Sequence, residues 1–295
     1  MKIRKDYIIL LFYFLFILCT KVFAQGTTYA THNQPALSIN AQDISNYDII
    51  DSSYMNIYYK FYFKLSESED TLQHSDRMEL MIGKKYMKYY SLSMQEMDER
   101  AEEIYKNHGW RGKSSGRTSI GQTIISNVPQ KDLSVINRVP FSNTIYEYSE
   151  KCPTFKWQIT NETDTVLGYL CKKATTTFAG RKYIAYYTED LPVPYGPYKF
   201  GGLPGLILEI YDTDEEFGWI CKDMNLNKEL IKKYKWNFEK TTKKKWQKFD
   251  KEIHIHAGKY LASTGNTFTV YDKDDNPTVI GEDWTEYYNP IEKEE

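Results

Sequence analysis

Residues 168–224 read GYLCKKATTTFAGRKYIAYYTEDLPVPYGPYKFGGLPGLILEIYDTDEEFGWICKDM, and the runs within them decide the fold. The segments 168–178, 181–188, 206–212 and 217–224 are rich in β-branched and aromatic residues and are bounded by turn-forming ones. Short runs of that kind, closely spaced, predict successive antiparallel strands. Upstream, TIYEYS (144–149) and TFKWQIT (154–160) continue the pattern. Further back lie YMNIYYKFYFK (54–64), SDRMELMIG (75–83) and KKYMKYYS (84–91). In the second of these, Met78, Leu80 and Ile82 alternate with polar residues, the period of a half-buried strand. The fold expected is mainly β: an antiparallel meander or open half-barrel with one or more packed helices.

Helices are expected in two places. Residues 93–107 (SMQEMDERAEEIYKN) open on a Ser93-x-x-Glu96 capping box, and residues 228–252 turn helical and basic. The run TFTVYDKDDNPTVI (267–280) reads as a closing hairpin. Four segments result: a signal peptide over 1–24, a polar, flexible lead over 25–48, a β-rich core over 49–227, and a helical and hairpin elaboration of the same domain over 228–295.

Export is read from the first segment. Lys2, Arg4 and Lys5 precede an apolar run from Tyr7 to Leu18, and Val22 and Ala24 suit cleavage before Gln25. The run is short for a membrane span, which needs about 20 apolar residues. Lipidation at Cys19 is disfavoured by the bulky Leu18 before it. The formal charge of the whole chain is −2. Without the basic leader the remainder is mildly acidic with mixed signs, which gives no footprint for nucleic acid.

Three cysteines follow the leader: Cys152, Cys171 and Cys221. If Asn161–Asp164 forms a turn, Thr160 faces Thr165 and Cys152 comes nearly opposite Cys171, within disulfide reach. A Cys152–Cys171 bond with Cys221 free is therefore expected, the alternative being three buried free thiols.

The block Gly201-Gly202-Leu203-Pro204-Gly205-Leu206-Ile207 and its surroundings, 168–210, resemble the central block of the GLPGLI family, exported envelope proteins found mainly in Bacteroidetes. RMELMIGKKYMKYYS (77–91) resembles that family's N-terminal strand pair, and Tyr288-Asn-Pro-Ile-Glu292 a common ending. Tyr187, or Tyr186 in the neighbouring frame, stands where the family often carries tryptophan. The resemblance implies export and a setting near TonB-dependent outer-membrane receptors; it brings no reaction. With the leader, the expected destination is the periplasm, the outer-membrane periphery or the extracellular space. Physically, a tight turn entering a core strand explains the block. Gly202 and Gly205 permit positive φ or close approach, Pro204 fixes a turn, and Leu206, Leu208 and Ile210 share one strand face opposite Ile207 and Glu209. A loop contacting a ligand through Tyr195, Tyr198 and Phe200 is the rival, with Arg181 as a possible anion contact or, more simply, a carboxylate's partner.

Other motifs carry little chemistry. Ser114 sits in a G-x-S-x-G string without the strand before and helix after that a nucleophile elbow needs. Asp272, Asp274 and Asn276 start like a calcium loop, but Pro277 occupies the place of the required glycine. His254 and His256 would share one strand face, and two histidines make a weak metal site. With no assembled catalytic set, no metal site and no cofactor motif, the chain is expected to be a non-enzymatic envelope protein that binds a hydrophobic ligand, a peptide or a partner protein. The alternative is a hydrolase of exported peptides.

Overall fold

The computed structural model describes residues 28–32, 39–64, 74–109, 115–116, 121–265, 267–271 and 276–293. The leader, Ser114 and Asp272–Asp275 lie outside them. The chain divides into two compact units, one of residues 36–257 with 283–295, the other of residues up to 35 with 258–282.

The elements, in chain order, begin with β1 (Thr28–His32), β2 (Ile39–Asn40), β3 (Tyr47–Phe63), β4 (His74–Gly83) and β5 (Tyr86–Ser91). Helix α1 (Leu92–His108) follows, then β6 (Ser115–Gly116), β7 (Gln122–Asn127), β8 (Asp132–Arg138) and β9 (Ile145–Lys151). The central meander is β10 (Gln158–Val166), β11 (Tyr169–Phe178), β12 (Arg181–Thr188), β13 (Leu206–Asp212) and β14 (Phe217–Asn225). Next come β15 (Leu230–Tyr234), β16 (Phe238–Lys240), α2 (Lys243–Ile255), α3 (Ala257–Ser263), β17 (Thr267–Tyr271) and β18 (Pro277–Val279). In the smaller unit β17 pairs parallel with β1 and antiparallel with β18, the expected hairpin. Two strands, β1 and β2, thus fall within the segment read as an irregular lead.

The larger unit is built on one open sheet in the order β10-β11-β12-β13-β14-β3-β4-β5-β7-β8-β9-β16, with β15 on the first half of β3, and β2 and β6 pair apart from it. Every pairing in it is antiparallel except β16 with β9. The mainly-β reading with packed helices therefore holds. Strand alternation gives the sheet two unlike faces. Ile57, Tyr59, Phe61, Met78, Leu80, Ile82, Tyr89 and Trp219 belong to the main core, whereas Asn56, Glu79 and Lys88 point the other way.

The glycine- and proline-rich stretch 191–205 is packed onto the main core. Phe200, fully buried, sits 4.8 Å from the Tyr183 ring, 5.4 Å from Phe155 and 5.8 Å from Trp219. The stretch is pinned by Gly202 N–H donating to Pro194 O at 2.9 Å, Leu206 N–H to Leu191 O at 2.9 Å and Ile207 N–H to Tyr195 O at 3.0 Å. Leu206, Ile207, Leu208 and Ile210 are all buried, so both faces of β13 are covered, not one.

Several expectations are corrected. The β10–β11 turn falls at Leu167 and Gly168, with φ of 50° and 79°. Two successive left-handed residues make the tight hairpin turn that suits twisted strands, and the Asn161–Asp164 stretch stays in β10. Cys171 consequently faces Asp164, and Cys152, Cys171 and Cys221 are free thiols; the Cys152–Cys171 bond is not formed. Helix α1 starts a turn's fraction earlier than expected, because Ser91, not Ser93, caps it by accepting from Met94 N–H at 3.1 Å. Much of 228–240 is strand: Ile231 and Tyr234 bury against the sheet as β15 pairs with β3. The helix begins only after the cap Thr242, and it ends with His254 near its C-terminus and His256 as its C-cap, so these two share no strand.

Candidate active site

Helix α2 presents Lys243, Trp246, Gln247, Asp250 and His254, spaced to fall on one stripe, into a cavity of about 220 Å³. The tail from Tyr287 to Glu292 forms another wall, and Asn137, Arg138, Tyr148 and Tyr198 line the rest.

One side of the cavity is a buried charge cluster. Lys199, fully buried, pairs with both Glu150 and Glu292. Lys243 pairs with Glu292 and lies 3.0 Å from Glu150. Tyr198 Oη donates to Glu292 Oε1 at 2.5 Å. Burial alone would raise the Glu292 carboxyl, but the two lysines outweigh it and hold the group below its ordinary value. Burial first, and the Glu292 charge next, push the Tyr198 hydroxyl well above the phenol range.

Further along the same helix stripe the electrostatics differ. Asp250 is raised by burial, a shift that His254 only moderates. His254 Nδ1 lies 2.7 Å from the Asp250 carbonyl oxygen. A carbonyl only accepts, so Nδ1 carries the hydrogen and Nε2 is left as the basic nitrogen. The ring is steadied by Tyr288, 5.4 Å away between centroids, and the His254 carbonyl accepts from Glu286 N–H at 2.9 Å. Burial lifts the Glu286 carboxyl to about 8. Within the cavity, then, Glu292 is held down by its lysines while Asp250 is pushed up by burial.

The residues expected to contact a ligand are distributed otherwise. Phe200 is core. Tyr198 lines the cavity, its hydroxyl bonded to Glu292. Tyr195 is half-buried, forms an isolated bridge with Gly201 and does not line the cavity. Arg181, 1% exposed, is a clamp: Nη1 lies 3.1 Å from Asp212 and also pairs with Glu216. Its other donors hold the tail, with Nε to Ile291 O at 3.1 Å and Nη2 to Pro290 O at 2.9 Å and to Asn289. His254 alone of the weighed metal pair lines the cavity, and among the described residues no group of three His, Cys, Asp or Glu could hold a metal ion. Among those residues, too, no helix is long and apolar enough to cross a membrane. Asp250, Lys243, Lys199 and Glu292 escaped the sequence reading, although the spacing 243, 246, 247, 250, 254 marks a single helix stripe.

Residues 123–251, less than half of the chain, match the family described as N-glycanase peptide, N-terminal domain. Two solved structures of PNGF-II, in space groups P21 and C2, are similar at 18% identity with TM-scores of 0.45 and 0.43. They cover 68% and 67% of this chain, which spans only about a third of theirs, 33% and 32%. No curated protein matches. The family match overturns the expectation of a non-enzymatic envelope binder and favours its alternative, a hydrolase.

Proposed function

We propose that the chain is an exported hydrolase acting on peptides, with glycosylated peptides as its substrate class and the α2 cavity as its site. The observation that carries the reading is the pairing, in that cavity, of a carboxyl raised by burial (Asp250) with the free Nε2 of His254. The match to an N-glycanase N-terminal domain supports the substrate class. Amide hydrolysis needs a proton for the leaving nitrogen and a base for the attacking water. Asp250, whose carboxyl burial raises, is the acid; His254 Nε2 is the base. Lys243 and the ionised Glu292 stand ready to orient polar groups of the substrate, and Trp246 and Tyr288 offer ring faces to a sugar.

The test is release of product from a glycosylated peptide and from its unmodified counterpart, followed by mass spectrometry. Asp250→Asn and His254→Gln should each lower the rate by about 10²-fold or more, with unchanged melting. Activity should fade as pH rises through the raised Asp250 pKa. Full activity in both variants, or no turnover of either peptide by the parent, would refute the assignment.

A further inference from the structure

Beside that cavity and sharing Arg138 with it, on the sheet face turned from the main core, a cleft of about 20 Å³ opens at Lys88. Lys88 is 5% exposed. Its Nζ lies 4.5 Å over the Tyr90 ring and 4.9 Å over the Tyr234 ring. Among the described residues no carboxylate or carbonyl hydrogen-bonds that amine. The nearby acids are already engaged: Asp98 by Arg138, whose Nη1 approaches at 3.0 Å, and Glu79 by the Tyr90 hydroxyl. The charged and titratable groups facing Lys88 or lining its cleft are Glu79 from β4, Tyr90 from β5, Asp98 from α1, Arg138 from β8, and Lys232, Lys233 and Tyr234 from β15, Lys233 being paired with Glu147.

We propose that Lys88 is a carbon dioxide acceptor, converted reversibly to its carbamate. The neutral amine's lone pair attacks the carbon of dissolved CO₂ and an N–C bond forms. One C=O π pair moves onto oxygen to give the carboxylate, and the nitrogen's proton leaves to solvent; nothing is oxidised or reduced. Three features favour the step. Burial, aided by Arg138 and Lys232, brings Lys88 down to about 8, so a sizeable share of the amine is neutral near pH 7.5. The cleft has room for about one small molecule, which suits CO₂ and excludes a sugar or peptide. The product's negative charge meets two cations, Arg138 and Lys232, that oppose the ammonium it replaces, while Glu79 and Asp98, which favour the ammonium, are already held by the Tyr90 hydroxyl and by Arg138.

The experiment is carbon NMR of the full chain in isotope-labelled bicarbonate. One carbamate carbonyl resonance, of intensity comparable to the protein concentration, should appear and should vanish in Lys88→Met. Methionine is of similar size and removes an unpaired buried charge, so the fold is expected to hold. Lys88→Arg, which keeps a cation but not the nucleophilic amine, should also lose the resonance. Lys232→Gln should lower its occupancy. No resonance in the parent, or its persistence in both Lys88 variants, would overturn the proposal.

Discussion

Replacing Gly205 by alanine tests the strand entry directly. A β-carbon built there would lie 2.0 Å from the Thr188 carbonyl oxygen and 2.6 Å from its carbonyl carbon. Both atoms are backbone, and both belong to the end of β12, whose Thr188 is paired with Leu206. No side chain can rotate away, so β12 and β13 must part by about an ångström at the point where Leu206 N–H also bonds Leu191 O. Overpacking usually costs about 1–3 kcal/mol; a backbone-to-backbone clash belongs at the top of that range, about 3 kcal/mol or more. At roughly 2–4 °C per kcal/mol for a unit of this size, melting should fall by about 6–12 °C. Gly202 is the internal control. Its φ is +85°, and a β-carbon there would meet only Trp157 Nε1 at 3.9 Å. Its replacement by alanine carries the backbone penalty alone, about 1 kcal/mol. Urea melts of the parent and both variants, compared at constant slope, decide the matter. A Gly205→Ala loss no larger than that of Gly202→Ala would refute close approach as the reason for this glycine.

Two further outcomes follow from buried charge. Arg181→Met should destabilise by about 3–5 kcal/mol, because Asp212 would be left buried without its cation; chemical denaturation reads this, and a loss under 1 kcal/mol would count against the clamp. Glu286 binds its proton more tightly folded than unfolded, so its contribution is full below the unfolded carboxyl pKa near 4.5 and is lost as pH rises towards about 8. Glu286→Gln should therefore match the parent's melting at pH 4 and exceed it at pH 8.5; equal melting at both would show that the carboxyl is solvated.

Much of the sheet was legible because a half-buried strand writes its period into the chain. The alternation in β4 and the apolar density of β12 and β13 needed no tertiary information. The β10–β11 turn failed for a local reason: Asn-Glu-Thr-Asp has turn composition, whereas the real turn puts Leu167 at positive φ, which composition does not signal. The region 228–240 misled because its lysines suit an exposed helix, yet Ile231 is drawn into the sheet by β3, whose first half would otherwise be an unpaired edge.

The site was illegible for a different reason, distance along the chain. Asp250 and His254 share a helix stripe and could have been paired by spacing alone. Glu292 joins them only because the tail folds back, and Lys199 reaches it from a stretch whose prolines and glycines say turn, not charge. Arg181 supplies what the sequence could not: held by Asp212 and Glu216 on the sheet side, it grips Asn289, Pro290 and Ile291, the residues immediately before Glu292. The clamp therefore fixes one wall of the cavity through the same contacts that stabilise the fold. Loss of Arg181 should loosen the tail before the sheet melts, because the tail is held mainly by side-chain contacts to Arg181, Lys199, Lys243 and Tyr198 while the sheet has its hydrogen-bonded ladder. Hydrogen exchange in Arg181→Met should accordingly rise first at 288–292, with β12 and β13 still protected. Uniform deprotection of tail and sheet together would mean that Arg181 serves the core alone and that the cavity wall is held elsewhere.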